Sequence, residues 1–267
     1  MELEIICLSG SPCSGKGTQS DLIIENKSEF EQYYGKNLVH VSTGDLFKKE
    51  IELGSILGKR ILSYTKKGLL VPDEITIDVL NENLNENNSN TYLFDGFPRN
   101  LNQAKLVTEN FDVLGVIFYN TSDEIVLDRL RDRINEAEKN NLSKRCDDDE
   151  ETFKRRLKIF NKETKPGIDY LKQVYGDLFY SIDASSSISE IANRSNKALH
   201  AIFIKDMVNN IPEENYQKII CETAKKMGCD HKEALLEYAI SQFKNTKKLS
   251  NEQLFKNTMY NLLNKYV

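Results

Sequence analysis

The chain has 267 residues, 39% of them hydrophobic, and a formal net charge of −5 at pH 7. That is enough apolar material for one sizeable α/β domain and a further piece, and the acidic balance argues against bulk nucleic-acid binding. No apolar run approaches membrane-spanning length, the start Met1-Glu2-Leu3-Glu4 is unlike a signal peptide, and the cysteines at 7, 13, 146, 221 and 229 follow no disulfide or four-cysteine zinc spacing. The expectation is a cytoplasmic enzyme with reduced thiols and with neither nucleic acid nor membrane among its partners.

The first element is the apolar run Ile5-Ile6-Cys7-Leu8, a strand, followed by Gly10-Ser11-Pro12-Cys13-Ser14-Gly15-Lys16-Gly17-Thr18 and a helix over Thr18–Asn26. Gly, four residues, Gly and Lys between a strand and a helix is the pattern of a phosphate-binding loop. Its glycines let the backbone fold tightly, so that N–H groups converge on phosphate oxygens, and the helix N-terminus adds positive potential. Lys16 supplies a mobile point charge for the β- and γ-phosphates.

Leu38-Val39-His40-Val41 reads as a second strand, running into Ser42-Thr43-Gly44-Asp45-Leu46-Phe47 and a helical stretch to about Tyr64. Lys67–Glu74 reads as a turn with Asp73 as N-cap of a helix over Glu74–Asn85. The asparagine-rich segment 81–90 reads as a surface loop. Tyr92-Leu93-Phe94 has the signal of a buried strand and ends in Asp95-Gly96-Phe97-Pro98-Arg99. Val113–Tyr119 is a further strand, a helix runs from Ser122-Asp123 through Arg133, and Arg145–Tyr175 is mostly helical. Leu178–Ile182 is the fifth strand and Ile188–Phe203 a closing helix. This alternation predicts a five-stranded parallel sheet with helices on both faces, and the phosphate-binding loop after its first strand points to an α/β fold of the P-loop NTPase type. Ligands then bind beyond the carboxyl ends of the strands, where the loop at 10–18, Thr43-Gly44-Asp45 and Asp95–Arg99 all fall.

If such a loop served phosphoryl transfer between two polyanions, it would need cations beyond Lys16, and carboxylates to position Mg²⁺. Arg99, at a strand end, can fork onto an acceptor phosphate. Arg129 and Arg133 are four apart on one helical face, and Arg145 and Arg156 flank the start of the next helix. Each arginine taken singly is also explained by a surface salt bridge, for which the acidic run 147–151 offers partners.

Gly15-Lys16-Gly17-Thr18-Gln19 in the loop, Thr43-Gly44-Asp45, Asp95-Gly96-Phe97-Pro98-Arg99, Asp128-Arg129 with Arg133, Arg145-Cys146-Asp147-Asp148, Arg155-Arg156-Leu157, Thr164-Lys165-Pro166 and Ile182-Asp183-Ala184 occur in order. Over about residues 1–204 the chain resembles the adenylate kinase family of nucleoside monophosphate kinases, in its short-lid form. The resemblance implies that Gly10 to Thr18 hold ATP, with Arg129 stacked on its base. Lys16, Arg133, Arg145 and Arg156 would neutralise the phosphates and the group in transfer. The acceptor AMP would lie against Thr43, Lys48, Leu70, Val71, Gly96 and Gln103, with Arg99 on its phosphate. Asp95, through water, and Thr18 would hold Mg²⁺, and Phe97-Pro98 would be a cis peptide. It further implies mobile segments, an acceptor-binding one over about 42–72 and a lid over about 133–145. The lid interval contains no cysteine, so no structural zinc is expected.

Two positions depart from the family pattern. Lys48 stands where arginine is usual, keeping the charge without the fork, and Cys13 stands where glycine is usual, which is tolerable if its φ is negative. The leading activity is MgATP + AMP ⇌ MgADP + ADP. Arg99-Asn100 and the short lid suit a UMP-CMP kinase as the alternative, while Thr43 and Gln103 favour AMP. A third reading is a weakly active nucleotide-binding module whose C-terminal part recruits a partner.

From about Lys205 the composition shifts, and no arginine follows Arg194. Apolar residues recur at helical spacing over Pro212–Met227, Asp230–Lys244 and Ser250–Tyr266, predicting a small all-α extension over 205–267. Its stripes read as a core, and a protein partner for it stays open. The whole is expected to be a monomer.

Overall fold

The structure, a computed structural model, describes residues 3–84, 90–140, 149–208 and 216–227 together with Met259. Its sheet comprises β1 (Glu4–Gly10), β2 (Asn37–Ser42), β3 (Asn90–Asp95), β4 (Asp112–Asn120) and β5 (Phe179–Asp183), in the order β2-β3-β1-β4-β5. Every pairing is parallel. β1 is the central strand and is apolar on both faces. Ile5 and Cys7 pack among residues such as Leu80, Ala104, Val107 and Leu171, and Ile6 and Leu8, which point the other way, are at most 1% exposed. β1 lies between β3 and β4, so the chain order reverses there, and a crevice opens beyond its carboxyl end.

The helices of the first part are α1 (Lys16–Glu25), α2 (Lys27–Tyr34), α3 (Thr43–Glu52), α4 (Ile56–Thr65), α5 (Asp73–Asn83), α6 (Leu101–Asn110), α7 (Asp123–Lys139), α8 (Glu150–Ile159) and α9 (Lys165–Tyr175). Several differ from the sequence expectation. α2 and α6 have no counterpart there. The stretch from Thr43 to Tyr64 is two helices, broken where Gly54 turns at φ 65° and Ser55 accepts the N–H of Gly58 to cap α4. Asp73 is not the cap of α5. It is the first helical residue, Pro72 precedes it, and no side chain caps this helix. α7 continues to Lys139, through the first part of the expected lid. Residues 141–148, and with them Arg145, lie outside the described residues.

Phe47, Ile61, Val71, Ile75 and Val79 form a core of their own, joining α3, α4 and α5. Val126, Leu130, Phe153 and Leu157 join α7 to α8. α8 and α9 are linked by a wide π-type turn, Phe160–Thr164, a form that often occurs at functional sites.

The chain divides between Ile191 and Ala192 into two compact units. That point lies inside α10 (Ile188–Val208), ahead of the expected boundary at 204. In the second unit the residues from Ala198 to Lys205 are all at most 6% exposed, the pattern of a helix buried on every side. α11 (Tyr216–Met227) buries Ile220, Thr223 and Ala224, three and four apart as one helical face requires. It falls inside the expected helix 212–227. The expected helices at 230–244 and 250–266 lie outside the described residues, apart from helical, buried Met259.

Candidate active site

The loop after β1 folds back on its own lysine. Lys16 Nζ donates to the carbonyl oxygens of Gly10 at 2.8 Å and Ser11 at 3.0 Å, with Ser14 Oγ at 3.4 Å. Gly10 is obligatory here, because a Cβ would lie 2.7 Å from Ser14 Oγ and 2.8 Å from the Tyr119 carbonyl. Gly15 turns at φ 95° immediately before α1 begins at Lys16, so the helix N-terminus opens at the loop. Cys13 has φ 58°, against the negative φ that would make a side chain easy there. It is the non-glycine residue with positive φ among the described residues. Gly17 and Thr18 are exposed at the start of α1. Burial lowers the pKa of Lys16 to about 8, the Asp95 carboxylate opposing that fall and the Arg99 and Arg156 guanidiniums adding to it.

The segment after β3 supplies the second wall. Phe97-Pro98 is cis, as the resemblance implied. Gly96 has φ 82°, and a Cβ there would lie 2.6 Å from Thr43 Oγ1 and 2.7 Å from Arg99 Nη2. Thr43, 2% exposed, donates to the Gly96 carbonyl at 3.0 Å, which pins the start of α3 to the turn. Arg99 Nε donates to the same carbonyl at 2.7 Å. The backbone of Arg99 is held from both sides, its N–H by Gln103 Oε1 at 2.6 Å and its carbonyl by Thr164 Oγ1 at 2.7 Å.

Asp95 ends β3, with its side chain 13% exposed. Burial would raise its pKa, but His40, Lys16 and Arg99 together hold the carboxyl below its ordinary value. His40 Nε2 lies 3.9 Å from Asp95 Oδ2, a neighbour that sequence reasoning missed. β2 and β3 are in register with Ser42 beside Asp95, so the histidine near the end of β2 was the available clue.

One cavity of about 110 Å³ is lined by parts of the β1 loop and of the β3 turn, while Thr43, Asp95 and Gln103 are not among its walls. Of the expected residues, Gly10, Pro12, Lys16, Leu70, Gly96, Arg99 and Arg156 line it. Its remaining walls include Thr65, Leu69, Ile159, Phe160 and Thr164, of which only Thr164 lay in a motif singled out beforehand. The apolar ones carry no signal distinguishing them from core.

Other expected residues lie elsewhere. Arg129 Nη1 donates to the Ser14 carbonyl at 3.1 Å and Nη2 to the Ala184 carbonyl at 2.6 Å, tying the loop to the end of β5. Lys48 is exposed on α3, with Nζ 3.8 Å from Glu52 Oε1. Val71 belongs to the core of α3–α5. Arg133 stands on α7 and is not among the cavity walls. The acidic residues Glu150 and Glu151 pair with Lys154, Arg131 and Arg155, which are not in the expected catalytic set.

The sequence model of the family described as "Adenylate kinase" matches residues 8–175, more than half of the chain. The protein belongs to the adenylate kinase family. It is 35% identical over 200 residues to an adenylate kinase of Corynebacterium urealyticum, covering 73% of this chain and 98% of the relative. Adenylate kinases of Prochlorococcus marinus and Flavobacterium psychrophilum are each 35% identical, over 189 and 202 residues, covering 69% and 73% of this chain. Membership makes the chain a nucleoside monophosphate kinase. The cavity lies within the matched region, and the residues after 175 lie outside the family model.

Proposed function

We infer that the chain catalyses reversible phosphoryl transfer from MgATP to AMP, giving two ADP. The observation that carries this reading is one cavity flanked by the β1 loop with Lys16, the β3 turn with Arg99, and Arg156 of α8. A donor polyphosphate on the first faces an acceptor phosphate on the second, with a third cation beside both. Transfer of this kind is mostly positioning and charge stabilisation, so no covalent intermediate or general base is needed.

In this reading the loop from Gly10 to Thr18 wraps the ATP phosphates, and Lys16 exchanges its carbonyl partners for phosphate oxygens. Arg129 holds the loop in shape and presents its guanidinium plane to the base. Arg99 forks onto the acceptor phosphate, and Arg133, Arg145 and Arg156 neutralise the charge that develops in transfer. The acceptor base lies by Thr43, Leu70, Val71 and Gln103. Lys48 reaches the acceptor phosphate by leaving Glu52, an exposed pairing that holds it weakly. Mg²⁺, when bound with ATP, would supply neutralisation of the phosphate charge. Asp95 fits that ion because its carboxylate is kept ionised and offers hard oxygen donors, and the exposed Thr18 hydroxyl stands at the helix start. No helix among the described residues is long and apolar enough to cross a membrane, and the reading is of a cytoplasmic monomer whose cations all come from one chain.

The test is a coupled assay of the full chain with MgATP and each of AMP, UMP, CMP and GMP. AMP is expected to give the highest kcat/KM. Faster turnover of UMP or CMP would make it a pyrimidine nucleotide kinase, and background rates with all four would leave only nucleotide binding.

A further inference from the structure

Asp73 opens α5, yet its carboxylate does not cap that helix. It accepts three amide donors from the start of α6 instead. Asn100 Nδ2 at 2.8 Å and Gln103 Nε2 at 2.7 Å share Oδ1, and Asn102 Nδ2 reaches Oδ2 at 2.8 Å. Gln103 is 2% exposed, and the other end of its amide, Oε1, accepts the N–H of Arg99 at 2.6 Å. The two contacts have opposite sense. Turning the amide over would set its N–H groups against the Arg99 N–H and its oxygen against the Asp73 carboxylate, so one orientation is enforced. A primary amide carries two N–H donors and two lone pairs. With one of each already used, Gln103 keeps one donor and one acceptor in a fixed order.

We propose that Asp73 is a positioning residue for acceptor-base selection, which fixes the sense of the Gln103 amide and touches no substrate itself. The proposal rests on the reading that AMP is the acceptor and that Gln103 meets its base. An amide fixed in this way pairs with a base edge that sets a ring acceptor beside an exocyclic amino donor, as adenine does. The same amide opposes the reversed edge, a ring N–H beside a carbonyl, which hypoxanthine presents on a purine of nearly the same shape. Such a mismatch leaves buried polar groups facing like partners, the situation in which discrimination is strongest. Asp73 also connects base reading to phosphate reading, because the amide it orients is the one that holds the backbone of Arg99.

The experiment compares the full-length wild type with Asp73→Ala and Asp73→Asn, measuring initial rates with MgATP and either AMP or IMP, together with melting curves. Asp73→Ala is expected to raise the KM for AMP about tenfold and to lower the AMP-to-IMP ratio of kcat/KM by about tenfold, with the KM for ATP nearly unchanged. Asp73→Asn keeps an oxygen for Gln103 Nε2, and exposed Asn102 can turn its own amide round to meet the new NH₂. It is expected to recover most of the preference for AMP. The proposal is overturned if Asp73→Ala keeps the wild-type ratio, if both variants lose it equally, or if every kinetic parameter falls along with the melting temperature. Wild type is the control for the underlying reading. Preference for UMP or CMP over AMP would remove that reading and this proposal together, whereas an AMP-specific wild type with an unchanged Asp73→Ala ratio would remove the proposal alone.

Discussion

The ammonium of Lys16 lies 2.8 Å from the carbonyl oxygen of Gly10, the glycine that opens the loop in which Lys16 stands. The loop's own carbonyls satisfy this cation, and burial lowers its pKa to about 8. An arriving polyphosphate must find it protonated. We expect kcat/KM for ATP to fall as pH rises through about 8, while kcat at saturating ATP holds to higher pH, because bound phosphate favours the charged form. The ligand-free protein should behave in the opposite sense. Between about 8 and the ordinary lysine value of 10.5 the unfolded chain binds more protons at this residue, so Lys16 makes stability rise with pH across that window. A kcat/KM for ATP that stays flat from below to above that pKa would take Lys16 out of phosphate binding.

Arg155 and Arg156 are adjacent on α8 but meet different surroundings. Arg155 bonds Glu151 at 3.2 Å and the Lys67 carbonyl at 2.8 Å, whereas Arg156 lines the cavity. Arg156→Ala is expected to lower kcat by about a hundredfold or more with folding intact. Arg155→Ala should stay within about threefold of wild type, as for other exposed pairs. Equal losses from the two in a steady-state assay would show that Arg156 acts only by holding α8 in place.

Gly96 has no room for a side chain. Added Cβ atoms would press on both Thr43 Oγ1 and Arg99 Nη2, at a φ that L residues avoid. Gly96→Ala should destabilise the fold by about 1–3 kcal/mol. It should also raise the KM for AMP much more than that for ATP, since the groups displaced face the acceptor side. Urea unfolding and paired KM measurements decide it, and a variant matching wild type in both would mean that the turn adapts freely.

Cys13 occupies left-handed backbone, so its side chain is held at a cost in conformational energy. Replacement by alanine removes the thiol and keeps the strain, and replacement by glycine removes both. Cys13→Gly is therefore expected to be more stable than Cys13→Ala by about 1 kcal/mol in chemical denaturation. If the alanine variant is the more stable, contacts of the side chain with the cluster of Val126 and Phe153 outweigh the backbone.

Residues 4–10 and 90–95 show how far the chain can be read without its fold. A run of apolar residues, then glycines and a lysine, or a glycine, a proline and an arginine, are local patterns. Their meaning depends on neighbours a few positions away, so the strand ends, the phosphate loop and the Asp95–Arg99 turn were legible as sequence. α2 and α6 were not among the expected elements, although α6 carries a local start signal, Asn100 accepting the N–H of Gln103, and buries Ala104 and Val107 three apart. The order β2-β3-β1-β4-β5 and the meeting of His40 with Asp95 were decided by strand pairing between distant segments. Asp73 shows the same division within one residue. Its place before an apolar period marked the start of a helix, as the chain alone dictates. Only the tertiary fold, which brings the start of α6 to the start of α5, put three amides within reach of its carboxylate and gave that charge a partner better than the helix end.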